Sequence, residues 1–141
     1  MGTKDVLLLL LPIVAASISS YLTYYFAMKS KQNEAIIRFK EEKYANLLIL
    51  LQGFMGSTTA GDTKRKFFEE QYKSWLYCSD EVVTAINKMV ELVISYHGNK
   101  PYEGEGRKVV GNIVVAMRKD LLGKTDLTHN DFRYTDVLES K

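Results

Sequence analysis

The chain has 141 residues, a formal net charge of +2 and a single cysteine, Cys78. That length leaves room for one small domain beside any membrane segment. The near-balanced charge carries no nucleic-acid footprint, and a lone thiol excludes an exported fold framed by intrachain disulfides.

Val6 to Met28, VLLLLLPIVAASISSYLTYYFAM, contains no charged residue. An uncharged apolar run of about 20 residues matches the hydrocarbon core of a bilayer, roughly 30 Å thick, at ~1.5 Å rise per residue. The stretch therefore predicts one membrane-spanning helix. Two other readings compete. The small residues Val14-Ala15-Ala16 offer a secretory cleavage site, but signal cores run only ~7–15 residues, and here apolar character persists to Met28. A core helix of a soluble protein would need burial on all sides, for which the remaining ~110 residues are marginal.

Basic residues close to the span set its orientation. Lys4 precedes it, whereas Lys29, Lys31, Arg38, Lys40 and Lys43 follow. The expectation is a single pass through the inner (cytoplasmic) membrane, N-terminus outside and C-terminal domain in the cytoplasm. Residues 1–28 form the anchor, 29–134 a cytoplasmic helical bundle and 135–141 a flexible tail. Tyr21, Tyr24, Tyr25 and Phe26 fall at the cytoplasmic end, where an aromatic belt belongs. Within the span, Ala15, Ser19, Thr23 and Ala27 recur at i+4. A ladder of small residues lets two helix backbones approach, with hydroxyls available for bonds across the contact. It marks these four residues as the candidate oligomer contact.

After Pro12 neither proline nor glycine occurs before Gly53, so the first helix is expected to run on to Gln52. Ile36, Ile37, Phe39, Tyr44, Leu47, Leu48 and Leu51 form a broad apolar stripe, Lys40 falls on the wet side, and the all-apolar Leu47–Leu51 predicts burial on two sides. A turn-rich stretch, Gly53–Gly61, leads to a second helix over 63–78, capped by Asp62 or Thr63, with Phe68, Tyr72, Trp75 and Leu76 on one face. Ser79 reads as the N-cap of a third helix, with Asp80 and Glu81 in its first turn. Val82, Val83, Ile86, Met89, Val90, Val93 and Ile94 point inward, and Gly98 ends it. The fourth helix, 107–122, is rich in valine, yet Val109, Val110, Ile113, Val114, Met117, Leu121 and Leu122 follow helical spacing. Gly123 caps it, and Thr128 with Asp131 opens a short final turn. The fold expected is all-α: a transmembrane helix continuing into a small up-and-down bundle.

Chemistry-bearing motifs are few. His97 and His129 lie in no metal-ligand spacing, and His129 sits beside Asp126, Asn130 and Asp131 in a sequence that suits a capped turn. Gly123-Lys124-Thr125 resembles the end of a P-loop, but Arg118 stands where the motif needs glycine and no strand precedes it. Gly104-x-Gly106 likewise lacks the rest of a dinucleotide fingerprint. Lys124-x4-His129 has a spacing related to the R-x4-6-H of HEPN nucleases, with lysine for arginine. Cys78, near Trp75 and Tyr77, reads as a buried apolar residue. Asp80 and Glu81 at one helix start and Arg118, Lys119 and Lys124 at another helix end are opposite charges that an antiparallel bundle brings together. They form the candidate partner patch.

Two segments, Trp75-Leu76-Tyr77-Cys78-Ser79-Asp80-Glu81-Val82 and Arg118-Lys119-Asp120-Leu121-Leu122-Gly123-Lys124-Thr125, resemble parts of small bacterial helical proteins, many with an N-terminal membrane helix. The resemblance covers about Phe67 to Tyr134; it implies a bacterial or phage origin and no particular activity. The overall plan is also similar to the membrane-anchored accessory proteins of some CRISPR systems, whose cytoplasmic bundles assemble into pores. The sequence thus leads to a non-enzymatic, self-associating membrane module without metal or cofactor, acting as scaffold or membrane-perturbing effector, with antiviral defence as the implied setting. Its expected partners are the bilayer, copies of itself and a cytoplasmic protein, not nucleic acid. The alternatives are a monomeric adaptor that recruits a cytoplasmic protein and a degenerate HEPN-like RNase using Lys124 and His129.

Overall fold

The computed structural model describes residues 2–54, 61–97, 99, 101–102 and 104–133, and no strand occurs among them. Four helices form: α1 (Thr3–Leu51), α2 (Gly61–Ser74), α3 (Asp80–Ser95) and α4 (Glu105–Leu122), with short 3-10 turns at Gln52–Phe54 and His129–Asp131. The chain divides into two compact units, residues 1–39 and residues 40–141. The expected tail, 135–141, and the expected helix stop at Gly98 lie outside the described residues.

In the first unit, α1 passes through Pro12, whose missing N–H and fixed φ a helix interior ordinarily resists. Every residue from Leu10 to Phe39 is exposed. Among the described residues α1 is the one helix long and apolar enough to cross a membrane. Ser17 and Thr23 donate their hydroxyls back to the carbonyls of Ile13 and Ser19, each at 2.8 Å.

The second unit has one core. The last turns of α1 contribute Tyr44, Leu47, Leu50 and Leu51; α2 contributes Phe67; α3 contributes Val82, Ala85, Ile86 and Met89; α4 contributes Val110, Ile113, Ala116 and Met117. The apolar stripe predicted for α1 narrows accordingly: Ile36, Ile37 and Phe39 stand exposed before the core begins. Leu48 and Ile49 are exposed too, so Leu47–Leu51 is buried on one side and not two. In α3 and α4 the predicted Val82, Ile86, Met89, Val110, Ile113 and Met117 are buried and Val90, Val109 and Leu121 pack against them, whereas Val83, Val93 and Val114 are only half-buried and Ile94 and Leu122 turn out to solvent.

The second helix departs most from expectation. It starts at Gly61, which puts Asp62 inside the first turn, and it stops at Ser74. Phe67, Gln71 and Ser74 face the core, while Tyr72, Trp75 and Leu76 are 75, 60 and 89% exposed. Adjacent Phe67 and Phe68 define two overlapping helical faces. Phe67 is fully buried and the predicted Phe68 packs half-buried beside it, while Ser74 can be buried because its hydroxyl donates to the Gln71 carbonyl at 2.6 Å. The chain then leaves helical geometry, so Trp75 and Leu76 never extend either face.

Gly123, at φ +78°, caps α4 as expected, its N–H donating to the Lys119 carbonyl at 2.8 Å. The terminal turn also forms: the backbone N–H and hydroxyl of Thr128 both donate to Asp131 Oδ2 at 2.8 Å. That turn packs on α4 at Gly111, where a Cβ would stand 2.9 Å from the His129 carbonyl oxygen.

Candidate functional site

A polar cluster of the second unit forms around Lys40, its first residue. Asp120, near the C-terminus of α4, is the hub. Its Oδ2 accepts from Lys40 Nζ at 2.8 Å and from the Tyr44 hydroxyl, both on α1. The backbone N–H of Ser79 lies near enough to Asp120 to favour its charged form. One carboxylate thereby bonds α4 to α1 and sits beside the start of α3. Ser79 occupies the N-cap position as expected, with extended φ and ψ, but its own side chain makes no cap bond. A carboxylate from α4 meets the helix start instead, where the helix dipole favours negative charge.

The electrostatics follow from burial and pairing. Burial pushes the Asp120 carboxyl up, but the hydrogen bonds from Lys40 and Tyr44 and the Lys40 charge outweigh it, so it lies below the usual carboxylate range. The Tyr44 hydroxyl is pushed above the ordinary phenol range by burial first and by its bond to Asp120 next. Burial likewise raises the phenol of Tyr77, whose ring lies 6.2 Å from that of Tyr44. Cys78 is half-buried beside Tyr44 and Ser74, and burial raises its thiol. The cluster therefore holds an ionised Asp120 paired with Lys40, neutral phenols and a neutral thiol, and it clamps α4 to α1.

Of the candidate partner patch, Lys119 and Glu81 pair at 2.8 Å with both side chains about half exposed. Arg118 Nε donates to Thr125 Oγ1 at 3.2 Å, and Asp80 and Lys124 lie on the surface. The small-residue ladder, Ala15, Ser19, Thr23 and Ala27, is exposed along α1, with the Thr23 hydroxyl already engaged within the helix. His97 has φ +50° just past α3, its Nδ1 3.1 Å from the Ile94 carbonyl. His129 is half-buried against Gly111. Among the described residues no three His, Cys, Asp or Glu side chains are grouped to hold a metal ion.

Sequence reading missed Lys40 and Tyr44 as partners of Asp120. The one available signal was the position of Asp120 between the inward Met117 and Leu121, at the edge of a buried face. No protein-family model matches this sequence, and no curated protein or solved structure matches it either.

Proposed function

We propose that this chain is a single-pass membrane module whose helical domain lies in the cytoplasm and whose span associates with other copies of itself, making it a non-catalytic scaffold at the inner membrane. The observation that carries the reading is the bareness of α1: residues 10–39 are exposed throughout, although residues 10–28 are uncharged and mostly apolar. The domain from Lys40 onward already has a closed core of its own. Soluble monomers rarely leave an apolar patch beyond a few hundred Å² in water, and lipid is the solvent that suits such a helix.

Orientation rests on the basic residues after Met28, and self-association rests on the ladder of Ala15, Ser19, Thr23 and Ala27. The test is extraction of bacterial membranes at alkaline pH, combined with labelling of cysteines placed at Thr3 or Glu105 in a Cys78→Ser background. The reading requires the chain to stay in the pellet, with the first cysteine reached from outside and the second only after lysis. A chain released at alkaline pH contradicts the anchor. A monomer in mild detergent contradicts the scaffold and leaves the adaptor.

A further inference from the structure

We propose that Trp75 and Leu76 insert into the interfacial layer of the bilayer that α1 enters, giving the helical domain a second, peripheral hold on the membrane; this rests on the anchored reading above. The two residues lie in the turn between α2 and α3. Its backbone is fixed by N–H donation from Leu76 to the Lys73 carbonyl at 3.0 Å, and from Tyr77 and Cys78 to the Ser74 carbonyl at 3.2 and 2.8 Å. Tyr77 and Cys78 pack against the core, which turns Trp75 and Leu76 outward. Tyr72 stands exposed one turn earlier. A tight turn thus holds apolar and aromatic side chains in water.

Its place in the domain selects the occupant. The turn lies at the end where Lys40 meets Asp120 and Tyr44 meets Tyr77. From Met28 to that end run only the residues 29–39, a tether that cannot exceed about 40 Å however it is arranged. Tryptophan and tyrosine favour the membrane interface, where the ring is half apolar and the polar tip stays wet. A contact of two or three side chains would be fleeting for a free domain, but a covalent connection this short, helical in α1, keeps the turn near the bilayer surface and makes the second contact intramolecular. Arg118 and Lys119 flank Asp120 at this end, but Asp80 and Glu81 share it, so apolar insertion carries the contact and no anionic lipid is required.

Trp75 is the single tryptophan of the chain, which makes it the reporter. The full chain is reconstituted in phosphatidylcholine vesicles bearing bromine high on the acyl chains, floated on a gradient, and read by fluorescence. The expected result is blue-shifted emission, strong quenching by the brominated lipid and a severalfold loss of quenching by aqueous iodide. In Leu76→Asp, at unchanged helix content, the lipid quenching is expected to fall and iodide access to return. A chain that floats while Trp75 stays red-shifted and open to iodide overturns the proposal and leaves the anchored reading standing. Blue-shifted emission that bromine does not touch places Trp75 against protein, a second copy included, and also overturns it. A chain that does not float overturns both.

Discussion

Lys40 and Asp120, separated by eighty positions in the chain, meet at 2.8 Å with only 21 and 13% of their side chains exposed. A second ion pair between helices, Lys119 with Glu81, is half exposed on both sides. Water and salt screen an exposed pair to about 0–1 kcal/mol, whereas removing one partner of a buried pair leaves the other charge uncompensated. Replacing Asp120 with Asn should therefore destabilise the domain by about 2 kcal/mol, discounted from the fully buried case because Lys40 keeps some access to water. Lys119→Ala should cost about 0.5 kcal/mol or less. Urea unfolding of the detergent-solubilised chain, followed by circular dichroism, measures both. Equal costs would show that the Asp120 hub contributes no more than the surface pair.

The same carboxylate sets an acid limit. Asp120 lies below its ordinary range in the folded protein, so the unfolded chain takes up its proton first as pH falls. Its stabilisation is fully present above the unfolded value, about 3.9, and is lost as pH falls through the lower folded one. The stability difference between the wild type and Asp120→Asn should be constant from neutral pH down to about pH 5 and narrow below about pH 4. A gap that stays constant into strong acid would mean that the mutation acts through packing and not through charge.

Two glycines of α4 make opposite predictions. Alanine is worth about 1 kcal/mol more than glycine in a helix interior, other things equal. At Gly106 the added methyl would meet only a Pro101 carbon at 3.5 Å, an ordinary contact, so Gly106→Ala should be neutral or mildly stabilising, at most about 1 kcal/mol. At Gly111 it would meet the His129 carbonyl oxygen at 2.9 Å and Cβ at 3.0 Å. Backbone cannot swing aside as a long side chain can, so the terminal turn must move. Gly111→Ala should destabilise by about 1–2 kcal/mol net of its propensity gain, with faster hydrogen exchange at Asp131 and Phe132. Matching effects of the two substitutions would show that the turn does not rest on α4.

What the residues disclose in advance depends on how singular the pattern is. In α3 and α4 one apolar period dominates, and the valine-rich run from Val109 to Val115 still spaces itself as a helix, so both were legible along with the Gly123 cap and the Thr128–Asp131 turn. In α2 the neighbours Phe67 and Phe68 leave two registers open. The burial of polar Gln71 and Ser74 against exposed Tyr72 runs counter to hydrophobic expectation, and only the local bond from Ser74 makes it permissible. Lys40 looked wet because a lysine in a run of charges normally is. Its partner arrives from a helix far along the chain, and no periodicity within α1 encodes that meeting. The exposure of Trp75 was hidden for the same reason as the α2 register, since it depends on where the helix stops.

The ladder on α1 offers a prediction that separates shape from hydrogen bonding. Small residues promote helix association either by letting backbones approach or by lending hydroxyls to the neighbouring helix. Thr23 already spends its donor on the Ser19 carbonyl at 2.8 Å within its own helix, which removes its hydroxyl proton from the contact. Thr23→Val keeps the branched shape without that proton, and cross-linking of the full-length chain in membranes should stay close to wild type. Thr23→Leu lengthens the side chain, pushes a facing helix away and should reduce the cross-linked dimer severalfold; Ser19→Leu should act in the same direction. A loss in Thr23→Val as large as in Thr23→Leu would assign the association to the hydroxyl, and no loss in either would remove the ladder from the contact.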